Sequence, residues 1–180
     1  MIATPTVEAT LQIPRLGRYE IDPRASTVAF KGRHLFGLAP VRGTFAIAHG
    51  MIDVADPIAD SSVHVQIDAA SFHTGNNHRD SDVRSARFLD ADRHPSMTFA
   101  STRLDRSGGS ATLTGVLTVH QVARPVSLTV EQCILQPTGP HSLIVRASTR
   151  IDRTQFGLTA APGLAGRHLD VSLRILAVRR

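Results

Sequence analysis

From residue 26 to residue 177 the apolar residues fall on alternate positions in one short segment after another. Successive side chains of an extended chain point to opposite faces, so a period of two marks strands with one apolar and one polar face. In residues 61–70, Val63, Val65, Ile67 and Ala69 point one way, while His64, Gln66 and Asp68 point the other. Residues 26–34 set Val28 and Phe30 against Thr27 and Lys31, and residues 41–48 carry Val41, Gly43, Phe45 and Ile47 on one face. The pattern returns at Met97, Phe99 and Ser101, then at Ala111, Leu113, Gly115, Leu117 and Val119. It continues through Val126, Leu128 and Val130, then Leu143, Val145, Ala147, Thr149 and Ile151, and ends with Leu169, Val171, Leu173, Ile175 and Ala177. Turn signals stand between these runs, at Ser107-Gly108-Gly109-Ser110 and at residues 137–140.

One segment leaves the rhythm. Residues 78–92 are charged, with Val83, Ala86 and Leu89 spaced by threes, and read as a short surface helix or a pair of turns that Pro95 ends. About eight antiparallel strands and at most one helix leave two architectures, a sandwich or a closed barrel. Closure removes exposed strand edges, and an eight-stranded barrel has room for packed side chains or one small ligand. The inward faces mix Phe with Gly43, Ala69, Gly115 and Ala147. That mixture suits a pocket, but a solid core gives the same alternation.

A chain of 180 residues suits one domain, and 42% hydrophobic with 19% charged residues excludes wholesale disorder. Residues 1–16, broken by Pro5 and Pro14, read as a flexible leader, and 17–180 as the barrel domain. The net charge of +5 comes almost entirely from Arg, and Lys31 is the only Lys. The arginines are scattered, which argues for a solvated basic surface and against nucleic-acid binding or an anionic-membrane adaptor. Cys133 is alone, so neither an intrachain disulfide nor a multi-Cys metal site is available. No run approaches the ~18–20 apolar residues of a membrane helix. The first residues show no basic leader followed by an apolar stretch, so the expected compartment is the cytoplasm.

Nine His residues invite a metal or enzyme reading, yet no H-E-x-x-H or His-x-His pair occurs. No G-x-S-x-G elbow is present, and Gly108-Gly109 lacks the Lys of a phosphate loop. The expectation is a non-enzyme with no catalytic residue, no metal ligand and no required cofactor. A hydrolase or metal-assisted enzyme in the same barrel shell is the alternative.

Three segments carry a family resemblance. The first is Thr74-Gly75-Asn76-Asn77-His78-Arg79-Asp80 with Val83-Arg84-Ser85 and Phe88-Leu89-Asp90-Ala91. The second is His94-Pro95-Ser96-Met97-Thr98-Phe99, and the third Gly115-Val116-Leu117-Thr118-Val119-His120 with Arg124-Pro125-Val126. Ile21-Asp22-Pro23, and Arg153 with Phe156-Gly157, match further out. Taken together, in order and spacing, the chain from about residue 17 onward resembles the YceI-like family. Tyr19, Ala25 and Gln121 stand where that family usually has Trp, His and Gly. The resemblance implies an all-β fold, an eight-stranded antiparallel lipocalin-like barrel with a short helical insertion. It also implies a non-catalytic carrier that encloses an isoprenoid-like lipid, a polyprenyl or quinone tail, in an apolar tunnel. Many members are secreted or periplasmic, and homodimers occur.

On this reading Phe30, Phe45, Val65, Ile67, Phe99 and Leu117 point inward towards the ligand. Residues 74–84, beside Phe72 and Phe88, gather polar groups next to large apolar ones. They are expected to cap one end of the barrel, with Asn76 and Arg79 donating to a ligand head group. The plainer reading of Thr74-Gly75-Asn76 is a tight turn that feeds the helical segment. Asp80 and Arg84 have the spacing of a helix ion pair.

Overall fold

A computed structural model describes residues 11–34, 37–107, 109–136 and 141–180. Ten strands form one sheet: β1 (Gly17–Ile21), β2 (Thr27–His34), β3 (Ala39–Phe45), β4 (Ile47–Val54), β5 (Ser62–Asp68), β6 (Ser96–Ser107), β7 (Ser110–Val119), β8 (Val122–Gln136), β9 (Ser142–Asp152) and β10 (His168–Arg179). Every pairing is antiparallel, and neighbours in the chain are neighbours in the sheet from β4 to β10. The ring closes because β1 pairs with both β4 and β10.

Ten segments make eight staves. β1 and β2 both lie along β10, interrupted by a turn in which the Asp22 carboxylate accepts from the N–H groups of Arg24 and Ala25. β3 and β4 return along β2 and β1 and are separated only by Ala46. The expected closed eight-stranded barrel is therefore the fold.

The edge of β3 that β5 leaves uncovered is paired by the chain beyond β5. Ala46 carbonyl accepts from Asp68 N–H, Ser71 Oγ accepts from Ala46 N–H, and Thr44 and His73 exchange two backbone bonds of 2.9 and 3.1 Å. An open edge would leave these groups unpaired or sticky.

The helical insertion is α1 (Asn77–Arg84), followed by tight turns through residues 85–94. Asn76 caps it, with Oδ1 accepting the Arg79 N–H at 3.0 Å, while Asp80 in the first turn and Arg84 in the last suit the helix dipole. The expected Asp80–Arg84 pair is not formed as a contact. Buried Asp80 turns instead to Thr74, accepting from its N–H at 3.0 Å and its Oγ1 at 2.5 Å, and Arg84 donates to the Phe72 carbonyl. A backbone loop that needs acceptors and donors outcompetes an exposed helix pair, which is worth only about 0.3–0.5 kcal/mol.

Of the expected leader, residues 1–10 lie outside the described residues. Residues 11–16 are fastened to β8: Gln12 N–H donates to Cys133 carbonyl at 2.9 Å, and Gln12 Oε1 accepts from Leu135 N–H at 2.6 Å. The turn signal at 137–140 also lies outside the described residues. No helix among them is long and apolar enough to cross a membrane.

Candidate functional site

The barrel interior holds a cavity of about 290 Å³. Its wall is the apolar face of the alternating strands: Val28 and Phe30 from β2, Val63, Val65 and Ile67 from β5, Leu113, Leu117 and Val119 from β7, and Leu169, Val171, Leu173 and Ile175 from β10. Leu89, Phe156 and Leu158 line it at the end carrying α1, and Leu11, Pro14 and Ile58 at the opposite end. Polar side chains on the wall are few: Gln12, Ser61, Arg106, Thr149 and Arg153. An interior lined this way accepts apolar matter and offers a polar substrate almost nothing to bond.

Phe30, Phe45, Val65, Ile67, Phe99 and Leu117, chosen from the sequence, all line the cavity. Phe72 does not line it but backs it. Its ring stacks on Phe30 at 5.2 Å and meets the Phe45 ring edge-on at 5.4 Å, which fixes the inner faces of the other two. Gly43 and Gly115, read as small wall residues, make room for rings instead. A Cβ at 43 would run into the Phe30 ring and one at 115 into the Phe99 ring.

Asn76 and Arg79 lie outside the cavity wall. Asn76 Oδ1 is spent on the helix cap, and Arg79 Nε donates to Thr74 Oγ1 at 2.8 Å. Asp80 is the centre of this loop. Burial works to raise its pKa, but the Thr74 bonds, with smaller electrostatic help from neighbouring His73 and Arg84, outweigh it and hold the carboxylate below its ordinary range. His73 Nδ1 sits 3.3 Å from Asp80 Oδ2.

Arg153 is the polar group that sequence reasoning singled out least and the cavity shows most. It is buried, lines the wall and stands 5.8 Å from the Phe88 ring centroid. Its guanidinium donates to the carbonyls of Gly166, Ala165 and Leu158, so it ties residues 157–167 to the barrel rim. Desolvation lowers its pKa and the neighbouring Asp152 carboxylate opposes that effect; a guanidinium keeps its charge in proteins. At the opposite end Cys133 lines the cavity, and burial pushes its thiol up. Neither group has the partner set of a nucleophile.

A second feature appears only in three dimensions. Asp90, His94 and His120 converge beneath the α1 end, their ligand atoms all within 4.8 Å of one another.

Comparison with known proteins gives a consistent result. A model of the YceI-like domain matches residues 19–177. A UPF0312 protein of Enterobacter sp. (strain 638) is 33% identical over 169 residues, covering 90% of this chain and 86% of that protein. A UPF0312 protein of Pectobacterium atrosepticum is 30% identical over 168 residues, covering 91% and 86%. Among solved structures, Burkholderia cenocepacia BcnA superposes with a TM-score of 0.76 at 21% identity, over 88% of this chain and 99% of that one. A polyisoprenoid binding domain from Saccharophagus degradans superposes with a TM-score of 0.69 at 17% identity, over 92% and 100%. At those identities the structural likeness speaks for the fold.

Proposed function

The chain belongs to the YceI-like family, and from that premise we propose that it is a non-catalytic binding protein that encloses the apolar chain of an isoprenoid-like lipid. The observation that carries this reading is the cavity itself: about 290 Å³ running between the two ends of the barrel, walled by Val, Ile, Leu and Phe from every stave. Each CH₂ moved from water into such a wall is worth about 0.8 kcal/mol, so a polyprenyl or quinone tail supplies affinity without any directed bond. The Saccharophagus degradans neighbour, a polyisoprenoid binding domain, supports the same ligand class. The task is to keep a water-insoluble tail in solution, and it needs no cofactor and no reacting group.

The test uses the full chain. Native mass spectrometry of freshly purified protein, followed by solvent extraction, should find an apolar mass leaving with the protein. Protein stripped of lipid should take up a polyprenol or a long-tailed quinone in a 1:1 ratio. Failure of stripped, folded protein to take up either would overturn the reading.

A further inference from the structure

The geometry points to a binding site for a single transition-metal dication, zinc by the chemistry of its ligands, formed by Asp90, His94 and His120. The site stands outside the wall of the lipid cavity.

The ligand set is right. Two imidazoles and one carboxylate bind zinc and related dications, whereas calcium and magnesium want an all-oxygen shell. The spacing is close to right. Ligand atoms around a tetrahedral zinc lie ~3.4 Å apart, given bonds of about 2.0–2.1 Å. Here they lie within 4.8 Å, so small side-chain rotations bring them onto one ion. The imidazole rings are already 4.5 Å apart at 78°, edge to face, which leaves nitrogens free to turn towards a common point.

The surroundings favour a cation. The Asp90 residue is buried, and its only ion-pair partner among the described residues is Arg93, 3.8 Å away on a side chain that is 80% exposed. So loose a pair costs little to replace. Both histidines are half-buried, so an entry path exists and one coordination position stays open to water.

The backbone is built around the trio. The turn that makes Asp90 and His94 neighbours is closed by His94 N–H to Asp90 carbonyl at 2.7 Å. His120 and Gln121 form the two-residue β7–β8 turn, both at positive φ (51° and 65°). Turns of that kind favour Asn and Gly, and an imidazole there sits against local preference. A strained position that aims a ligand side chain at two others is where function is to be sought.

Leu89 precedes Asp90, Val119 precedes His120, and both line the lipid cavity. An ion on the trio would therefore fasten the 85–94 segment to the β7–β8 hairpin at the capped end of the barrel.

The experiment titrates untagged, chelator-treated full-length protein with zinc by calorimetry, and with cobalt(II) by visible absorption. The expected result is one ion per chain, with tetrahedral-type cobalt bands. His94→Ala and His120→Asn should each weaken zinc by roughly tenfold or more, the scale seen even when only outer-shell partners are removed. Asn suits a positive φ, so His120→Asn should fold with a metal-free melting temperature no lower than the parent. His64→Ala, on the exposed face of β5, should leave the titration unchanged. No uptake by the parent protein, or stoichiometry and affinity unaltered in both His94→Ala and a folded His120→Asn, would overturn the proposal.

Discussion

Phe30 stands directly opposite Gly43 across the β2–β3 pair, and its ring occupies the space that a Cβ at position 43 would need. The same Cβ would meet the His73 carbonyl, whose acceptance from Thr44 N–H seals the β3 edge. One missing methyl group thus serves both the wall of the cavity and the seam beside it. Gly43→Ala should drive the Phe30 ring off its stack with Phe72 and cost about 1–3 kcal/mol, the usual price of overpacking. Chemical denaturation measures it. Because the strain lies between two named side chains, Phe30→Leu should recover part of the loss in the Gly43→Ala background, a non-additivity that independent sites do not show. Simple addition of the two single effects would contradict this account.

If the cavity holds the lipid tail, filling it should expel the tail without unfolding the barrel. Val65→Phe adds an apolar ring to a wall already facing empty space. Lipid retained through purification should fall, while the melting temperature of the stripped protein stays within a few degrees of the parent. Leu117→Glu should also abolish retention, but an unpaired charge in this wall is costly enough to threaten the fold. Val65→Phe is therefore the informative variant, and full lipid retention by it would place the ligand elsewhere.

Alternation made the staves and their inward faces legible because a one-face-buried strand has no other economical pattern. It failed where the phase changes. Bulges interrupt β4 between Ile47 and His49, β6 between Ser101 and Arg103, and β8 between Val130 and Gln132. One extra residue flips every later side chain. Ile52, Val54, Leu104, Arg106 and Cys133 therefore line the cavity, although unbroken alternation would turn them outward. Nothing in Ala48, Thr102 or Glu131 as residue types announces a bulge. The Asn76 cap was readable as a turn because its signal is local. Arg153 and the Asp90, His94 and His120 trio were not: Arg153 bonds carbonyls of a loop whose path no residue type announces, and His120 meets Asp90 and His94 only once β6 and β7 pair in register.

Asn76→Ala removes the acceptor for Arg79 N–H and with it the α1 cap. A loss of about 1 kcal/mol is expected, and Asn76→Ser should restore most of it. Since Asn76 lies off the cavity wall, any weakening of lipid binding should be equal for a quinone-headed ligand and a headless hydrocarbon of the same length. A loss confined to the headed ligand would instead bring Asn76 into contact with the head group.

Asp152, like Asp80, is a carboxylate at the rim held below its ordinary pKa, and it gives the acid limb of stability one identifiable source. Its carboxylate accepts from Thr154 Oγ1 at 2.6 Å and Thr154 N–H at 3.0 Å, and it pairs with Arg167 at 2.7 Å. The Thr154 hydroxyl is the largest influence, and with the Thr154 amide and Arg167 it lowers the pKa from an ordinary 3.8 to about 2 against the opposing effect of burial. The folded form therefore holds its proton less tightly than the unfolded chain does. Between pH 4 and pH 2 the unfolded state binds more protons, so stability rises with pH across that window. The contribution is complete above the unfolded value and is lost as pH falls through the folded one. Asp152→Asn should flatten the melting-temperature profile over this window and leave its shape near neutrality unaltered. Asp170→Asn, whose partner Arg150 is 3.8 Å away with both side chains 67% exposed, should change the profile little. An acid limb equally steep in Asp152→Asn would show that other carboxylates set it.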